Sequence, residues 1–174
     1  MTNETLEFDL ELHWYLNDKW ICFLTHKQEA FARQIEWAID LDLPIAIHCR
    51  DAFAPIFDVL EGNKDARLRG VFHCFTGTKN DAQRALDLGF YLGIGGVVTF
   101  KNGKIDSFLA NLPLEKMVLE TDAPYLAPTP YRGKRNESAY LPLVAHKMAE
   151  VFAVSPEEMA HITSKNAKNL FGLC

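Results

Sequence analysis

The sequence predicts an α/β fold in which parallel strands are covered by helices. Three observations carry this. Short apolar runs alternate with longer helical ones along the whole chain. The strand runs are mostly continuous in apolarity, as strands buried on both faces are. Polar residues recur where strands end, at His48, His73 and Asp122, roughly 20–30 residues apart, about one βα unit each. Five such units are visible in 174 residues. A closed (β/α)8 barrel needs eight units and about 200–250 residues or more. The chain is too short for a whole barrel, which leaves an open parallel sheet or part of a barrel.

The elements follow in order. Residues 6–12 (LEFDLEL) alternate apolar and acidic with period 2, as a strand does. Residues 13–25 read as irregular and aromatic-rich. His26 to Leu41 reads as an amphipathic helix with Phe31, Ile35, Ala38 and Ile39 on one stripe. Pro44 opens a second strand, PIAIHC, and Asp51 is the expected N-cap of a helix through Leu60, broken by Gly62 and Asn63. Residues 70–75 (GVFHCF) form a third strand, followed by a helix over 80–88 that Gly89 ends. A fourth strand covers 90–96, a short helix 104–112 and a fifth strand 116–121. The loop DAPYLAPTPYRGKRN carries three prolines and a glycine and excludes regular structure. Two helices close the chain, 138–152 and 156–170. Ser155, Pro156 and Glu158 supply an N-cap, a first-turn proline and a capping box for the second of them.

Composition narrows the function. Apolar residues make up 48% of the chain, which excludes wholesale disorder. No run approaches the roughly 18 apolar residues of a membrane span, and the N-terminus carries no signal-peptide pattern. The net charge of −5 argues against gripping nucleic acid through bulk positive charge, but it is compatible with an enzyme whose positive charge comes from bound metal. Cys22, Cys49, Cys74 and Cys174 are widely spaced with no C-x-x-C pair, so reduced thiols in the cytoplasm are expected.

In parallel α/β folds ligands bind at the carboxyl ends of strands. Strand parity places His48 and Arg50 on one face and Cys49 on the other, and likewise separates His73 from Cys74. If the histidines face the site, both cysteines are packing residues against the helices. Imidazoles and carboxylates from separate strands suit a divalent metal, although a single strand-end histidine is more often a hydrogen-bonded core residue. Gly93, Gly95 and Gly96 resemble a phosphate loop only loosely and are expected to form a tight turn. Arg132, Lys134 and Arg135 read equally as phosphate contacts or as an exposed loop. For Trp14, Tyr15 and Trp20, core packing is favoured over base stacking. His26, His146 and His161 are read as surface or packing residues.

Four segments together resemble the TatD family of metal-dependent deoxyribonucleases: PIAIHCRD (44–51), GVFHCFTG (70–77), LETDAPYLAP (119–128) with RGKRNE (132–137), and SKNAKNLFGL (164–173). They stand in family order and spacing across residues 26–173. The resemblance implies a barrel of the amidohydrolase kind. It further implies hydrolysis of phosphodiester bonds, often exonucleolytic on DNA, with a divalent cation (Mg, Mn or Zn). Carried over by position, His48, His73 and Asp122 would be metal ligands, and Asp122 would also orient or deprotonate the attacking water. Glu7 would be a bridging ligand and the partner of Asp122 in handling that water. Its surroundings depart from the family's G-E-I-G-L-D, since only Glu7 and Leu10 coincide and Glu11 replaces an aspartate. Arg50, Arg132, Lys134 and Arg135 would meet substrate phosphates.

The family's H-x-H strand, which carries two more ligands, does not occur here. Glu7 then falls on strand four, and the expected fold is an incomplete (β/α)8 barrel of about five units, strands four to eight, in a single domain spanning 1–174. Two functions follow. One is a metal-dependent nuclease with full or impaired activity on DNA. The other is a non-catalytic truncated remnant that binds metal or a partner. Incomplete closure also predicts open edges at strands 6–12 and 116–121, an apolar interior exposed to water, and self-association through them.

Overall fold

A computed structural model describes the backbone of residues 6–11 and 19–173 and the side chains of residues 26–173. Five strands, β1 (Leu6–Glu11), β2 (Ile45–Arg50), β3 (Gly70–His73), β4 (Tyr91–Ile94) and β5 (Met117–Leu119), form one sheet in consecutive order. Every neighbouring pair is parallel. The helices are α1 (Lys19–Asp40), α2 (Phe53–Gly62), α3 (Lys79–Asp87), α4 (Asp106–Leu109), α5 (Leu141–Phe152) and α6 (Pro156–Phe171).

Burial follows the pleat. In β2, Ile45, Ile47 and Cys49 are buried, Ala46 and His48 are half-buried, and Arg50 is exposed. The first set packs with Phe31 and Ile35 of α1 and with Ile56, Phe57 and Leu60 of α2 in the main core. Phe72 of β3 lies 5.4 Å from Phe57 and 5.5 Å, edge on, from Phe90. Phe31, Ile35 and Ala38 are buried and Ile39 packs at the margin, so the expected stripe on α1 is the stripe that meets the sheet.

The second face of the sheet is covered at its amino end. Val71 and Val118 are 4% and 5% exposed, packed with Leu170, Ala167 and Phe171 of α6. The same helix is tied to β5 by Asn166, whose Nδ2 donates to the Leu114 and Met117 carbonyls at 2.9 and 2.7 Å. At this level that face of the sheet is not the bare apolar surface expected of an incomplete barrel, because α6 folds over it. Among the described residues the exposed large apolar side chains lie elsewhere: Trp37 on α1, Leu41 just after it, Tyr125 and Leu126 in a loop, and Leu173.

Several boundaries differ from expectation for identifiable reasons. Helix α1 begins at Lys19, inside the stretch read as irregular, because aromatic residues do not break a helix and no Gly or Pro lies between 19 and 40. Asp51 does not cap α2. It sits at φ 56°, turning the chain after β2, and the cap position falls on Ala52 with no side-chain bond. Strand β3 stops at His73 because Cys74 is also left-handed, at φ 45°. Ser155 accepts from the Glu158 N–H at 3.0 Å as expected, but the full reciprocal capping box belongs to Thr78 and Asp81 at the start of α3. His13, Trp14 and Tyr15 lie outside the described residues, as do the side chains of Glu7, Trp20 and Cys22.

The cover over the inner face gives a first prediction. Leu170→Ala removes the centre of the α6 contact and is expected to cost about 2–4 kcal/mol in urea denaturation. A loss below about 1 kcal/mol would show that this end of α6 is not packed on the sheet.

Candidate functional site at the carboxyl ends of the strands

Strand register brings the polar strand ends to one level. His48 of β2 pairs with His73 of β3, and their ring centroids are 5.7 Å apart. On the other side of β2, Asp9 holds the register position beside His48, while Glu7 is registered with Ala46 and Glu11 with Arg50. Arg50 is exposed at the end of β2, two residues beyond His48.

His73 is held from both sides. Its Nε2 lies 3.1 Å from Asp122 Oδ1 and its Nδ1 lies 3.0 Å from Glu120 Oε1. The three side chains are mostly withdrawn from water, at 22%, 19% and 25% exposure for His73, Glu120 and Asp122. The Glu120 hydrogen bond above all, with the charges of Glu120 and Asp122, outweighs burial and pushes the imidazole up to about 9. His73 is thus held within hydrogen-bond distance of a carboxylate on each side of its ring. Glu120 also accepts from the Cys74 N–H.

Glu120 is a site residue that the sequence reading missed. It stands two residues before Asp122, and the same parity rule that paired His48 with Arg50 points to it. Gly93 is what admits it, since a methyl group on Gly93 would overlap the Glu120 carboxylate. Gly96 similarly admits the Leu126 carbonyl. The glycine cluster forms the expected tight turn, with β4 leading through Gly95 into a single 3-10 turn over Gly96–Thr99, and at Gly93 and Gly96 it also allows close approach of neighbouring segments.

A second missed residue is Asn136. It is 2% exposed, and its Nδ2 donates to the Thr121 carbonyl and, at 2.7 Å, to the Tyr125 carbonyl. Its N–H donates to Pro124 O at 2.9 Å and its Oδ1 accepts from the Glu137 N–H at 2.9 Å. Asn136 thus clamps the loop that carries Asp122 to the loop that carries the basic cluster. In that cluster the Arg132 guanidinium lies 3.6 Å over the Phe100 ring, and Lys134 Nζ is 6.0 Å from the Tyr131 ring, which stacks on Tyr140. Arg132, Lys134 and Arg135 are all exposed.

Backbone strain gathers here. Asp51, Cys74, Asp122 and Leu126 all have φ between 45° and 56°, and the first three directly follow, or closely follow, the ends of β2, β3 and β5. Such conformations cost of order 1 kcal/mol or more each outside glycine and cluster at functional sites. They aim the strand-end side chains while the strands keep their register.

The donor set suits a divalent cation: imidazole and carboxylate ligands, with two carboxylates facing one imidazole and leaving surplus negative charge. The bond from Nδ1 to Glu120 would leave Nε2 as the ligating nitrogen of His73. Among the described residues no three His, Cys, Asp or Glu side chains stand around a common point as arranged. His73 and Asp122 are instead hydrogen-bonded directly to each other. The cysteines are not donors. Cys49 and Cys74 are buried and free, and burial pushes both thiols up to about 12. Cys49 takes its expected place in the main core, whereas Cys74 is buried beside Glu120 and Asp122 rather than against the helices.

Residues 10–172 match the model of the TatD related DNase family. Over 95% of its length the chain is 40% identical to a protein from Bacillus subtilis named uncharacterized metal-dependent hydrolase YabD, and covers 63% of that protein. It is 38% identical, over 84% of its length, to the 3'-5' ssDNA/RNA exonuclease TatD of Citrobacter rodentium, and covers 58% of it. Among solved structures, 97% of the chain superposes on 62% of the TatD homologue YjjV of Escherichia coli, with a TM-score of 0.83 and 26% identity. The chain thus spans about three-fifths of the length of these relatives.

The geometry generates two predictions. Asn136→Ala leaves two loop carbonyls without their donor and is expected to cost about 1–3 kcal/mol. Asn136→Asp is expected to cost more at neutral pH, since a carboxylate repels both carbonyl oxygens; equal denaturation midpoints for the variants and the parent would refute the clamp. Thiols held near 12 carry almost no thiolate at pH 8. Alkylation at that pH should leave Cys49 and Cys74 unmodified in the folded chain and modify both in guanidinium, as read by peptide mass.

Proposed function

The chain belongs to the TatD related DNase family, and from that membership and the site geometry we propose that it is a metal-dependent phosphodiester hydrolase acting on DNA. The observation that carries the reading is the meeting of His73 Nε2 and Asp122 Oδ1 at 3.1 Å, from β3 and from the segment after β5, with the His48 ring alongside. His48, His73 and Asp122, with Glu7, are the residues that would hold a Mg, Mn or Zn ion. Such an ion supplies Lewis-acid stabilisation of charge on a phosphoryl oxygen.

The chain's own groups do the rest. Asp122 Oδ1 accepts a hydrogen bond from the attacking water and takes its proton, with Glu7 as the second carboxylate of the pair. Glu120 fixes the His73 ring through Nδ1 so that the opposite nitrogen faces Asp122. Arg50, Arg132, Lys134 and Arg135 bind phosphate oxygens, and for Arg132 the Phe100 ring holds the guanidinium plane in place. Under this reading the five strands are the last five of an eight-stranded barrel, in one hydrolase domain working in the cytoplasm. The exonuclease name of the Citrobacter relative supports DNA as substrate. Self-association through the free edges of β1 and β5 is part of the same proposal.

One observation favours a second reading, a remnant that binds metal or a partner without hydrolysis. Among the described residues no three ligands converge as arranged. A single experiment separates the two. The chain is incubated with Mn2+ or Mg2+ and a labelled single-stranded oligodeoxynucleotide, with Asp122→Ala and His73→Ala in parallel. The nuclease reading expects chelator-sensitive cleavage that falls by at least about 100-fold in both variants. Cleavage that survives Asp122→Ala would point to a contaminant, and metal binding without cleavage in the parent chain would establish the remnant.

A further inference from the structure

Tyr125 is 71% exposed, the highest exposure of any large apolar side chain among the described residues. Its backbone is nonetheless held firmly. Its N–H donates to the Asp122 carbonyl at 2.8 Å, closing a four-residue turn, and its carbonyl accepts from the buried Asn136. The next residue, Leu126, is 40% exposed, stands at φ 52°, and presses its carbonyl against the space left by Gly96. These bonds fix the backbone from which the ring projects.

The turn keeps the Cα atoms of Asp122 and Tyr125 within about 7 Å, which is the scale of one nucleotide step along an extended single strand. The same Asn136 joins this turn to the exposed Arg132, Lys134 and Arg135. An exposed aromatic ring on a firmly held backbone, an adjoining carboxylate–imidazole site and three cations on one framework match an unpaired nucleotide. Its base has a π face, and its flanking phosphates carry charge. Arg132, Lys134 and Arg135 concentrate positive charge at this place in a chain of net charge −5.

We propose that Tyr125 is a stacking platform for a nucleobase next to the phosphate at His73 and Asp122, and so restricts this site to single-stranded ends with little preference among bases. This rests on the nuclease reading for the phosphate's position. Stacking on a ring face is open to every base, so the platform reads whether a base is unstacked rather than which base it is.

The test uses the full chain in Mg2+ and a short fluorescein-labelled oligothymidylate with phosphorothioate linkages, followed by fluorescence anisotropy. Tyr125→Ala is expected to weaken binding by about 10-fold or more, and Tyr125→Phe to bind like the parent, because stacking needs the ring and not the hydroxyl. An oligonucleotide abasic at the terminal positions should lose about the same factor with the parent, and lose little further with Tyr125→Ala. Circular dichroism of this surface variant checks the fold. Unchanged binding by Tyr125→Ala, additive losses with the abasic strand, absence of binding by the parent, or equal binding and equal Tyr125 dependence on a blunt duplex would each overturn the proposal. Tyr125-dependent binding without cleavage of the ordinary oligonucleotide would leave the platform standing and remove the nuclease reading. Cleavage indifferent to Tyr125 would do the reverse.

Discussion

The carboxylate of Glu120 lies across β4 and joins two strands that do not touch. It leaves the end of β5, passes over Gly93, and meets both the His73 ring and the Cys74 N–H at the end of β3. The hydrogen-bond ladder alone fixes strand spacing but not the direction in which a strand-end ring points. This contact fixes the ring. It also offsets the cost of withdrawing the Glu120 carboxylate from water, because the His73 ring and the Cys74 N–H both meet it. A side chain on Gly93 would displace Glu120 and with it the orientation of His73, so a residue with no chemistry of its own is a precondition for the site.

Around that contact the site is built by over-determination. The chain leaves β2, β3 and β5 through left-handed residues, each of which is unfavourable in isolation. Asn136 compensates at the β5 end by supplying donors to carbonyls that the irregular loop cannot pair for itself. The helices contribute at a distance. Phe72, between Phe57 and Phe90, anchors β3 one residue before His73, so the packing of the core sets the height at which the imidazole emerges.

The fold class and the order of its units were legible because a buried parallel sheet writes itself as apolar runs at regular spacing. His48, His73 and Asp122 were legible for the same reason, as polar residues interrupting such runs at their ends. The start of α1 was not, since Trp20 to Phe23 carry no helical periodicity that stands out from an aromatic cluster. Asp51 failed as a cap because its residue type suits both an N-cap and a left-handed turn, and only the path after β2 decides between them. Glu120 was hidden by its neighbour: in a short strand that ends in several polar residues, parity names the face but not the contact. Asn136 could not have been found locally, because its partners at Thr121 and Tyr125 are carbonyls, which leave no trace in residue identity.

The seam between α6 and the sheet has a consequence for how the molecule comes into being. Leu170 and Asn166, which cover Val71 and Val118 and pin the start of β5, belong to the last helix of the chain. Asn166 reaches back 52 and 49 residues to its two carbonyl partners. Closing a loop of that span costs more entropy than pairing neighbouring strands through their own βα connections, so the sheet can assemble before this face is dried, and the seal is the contact that local folding cannot supply.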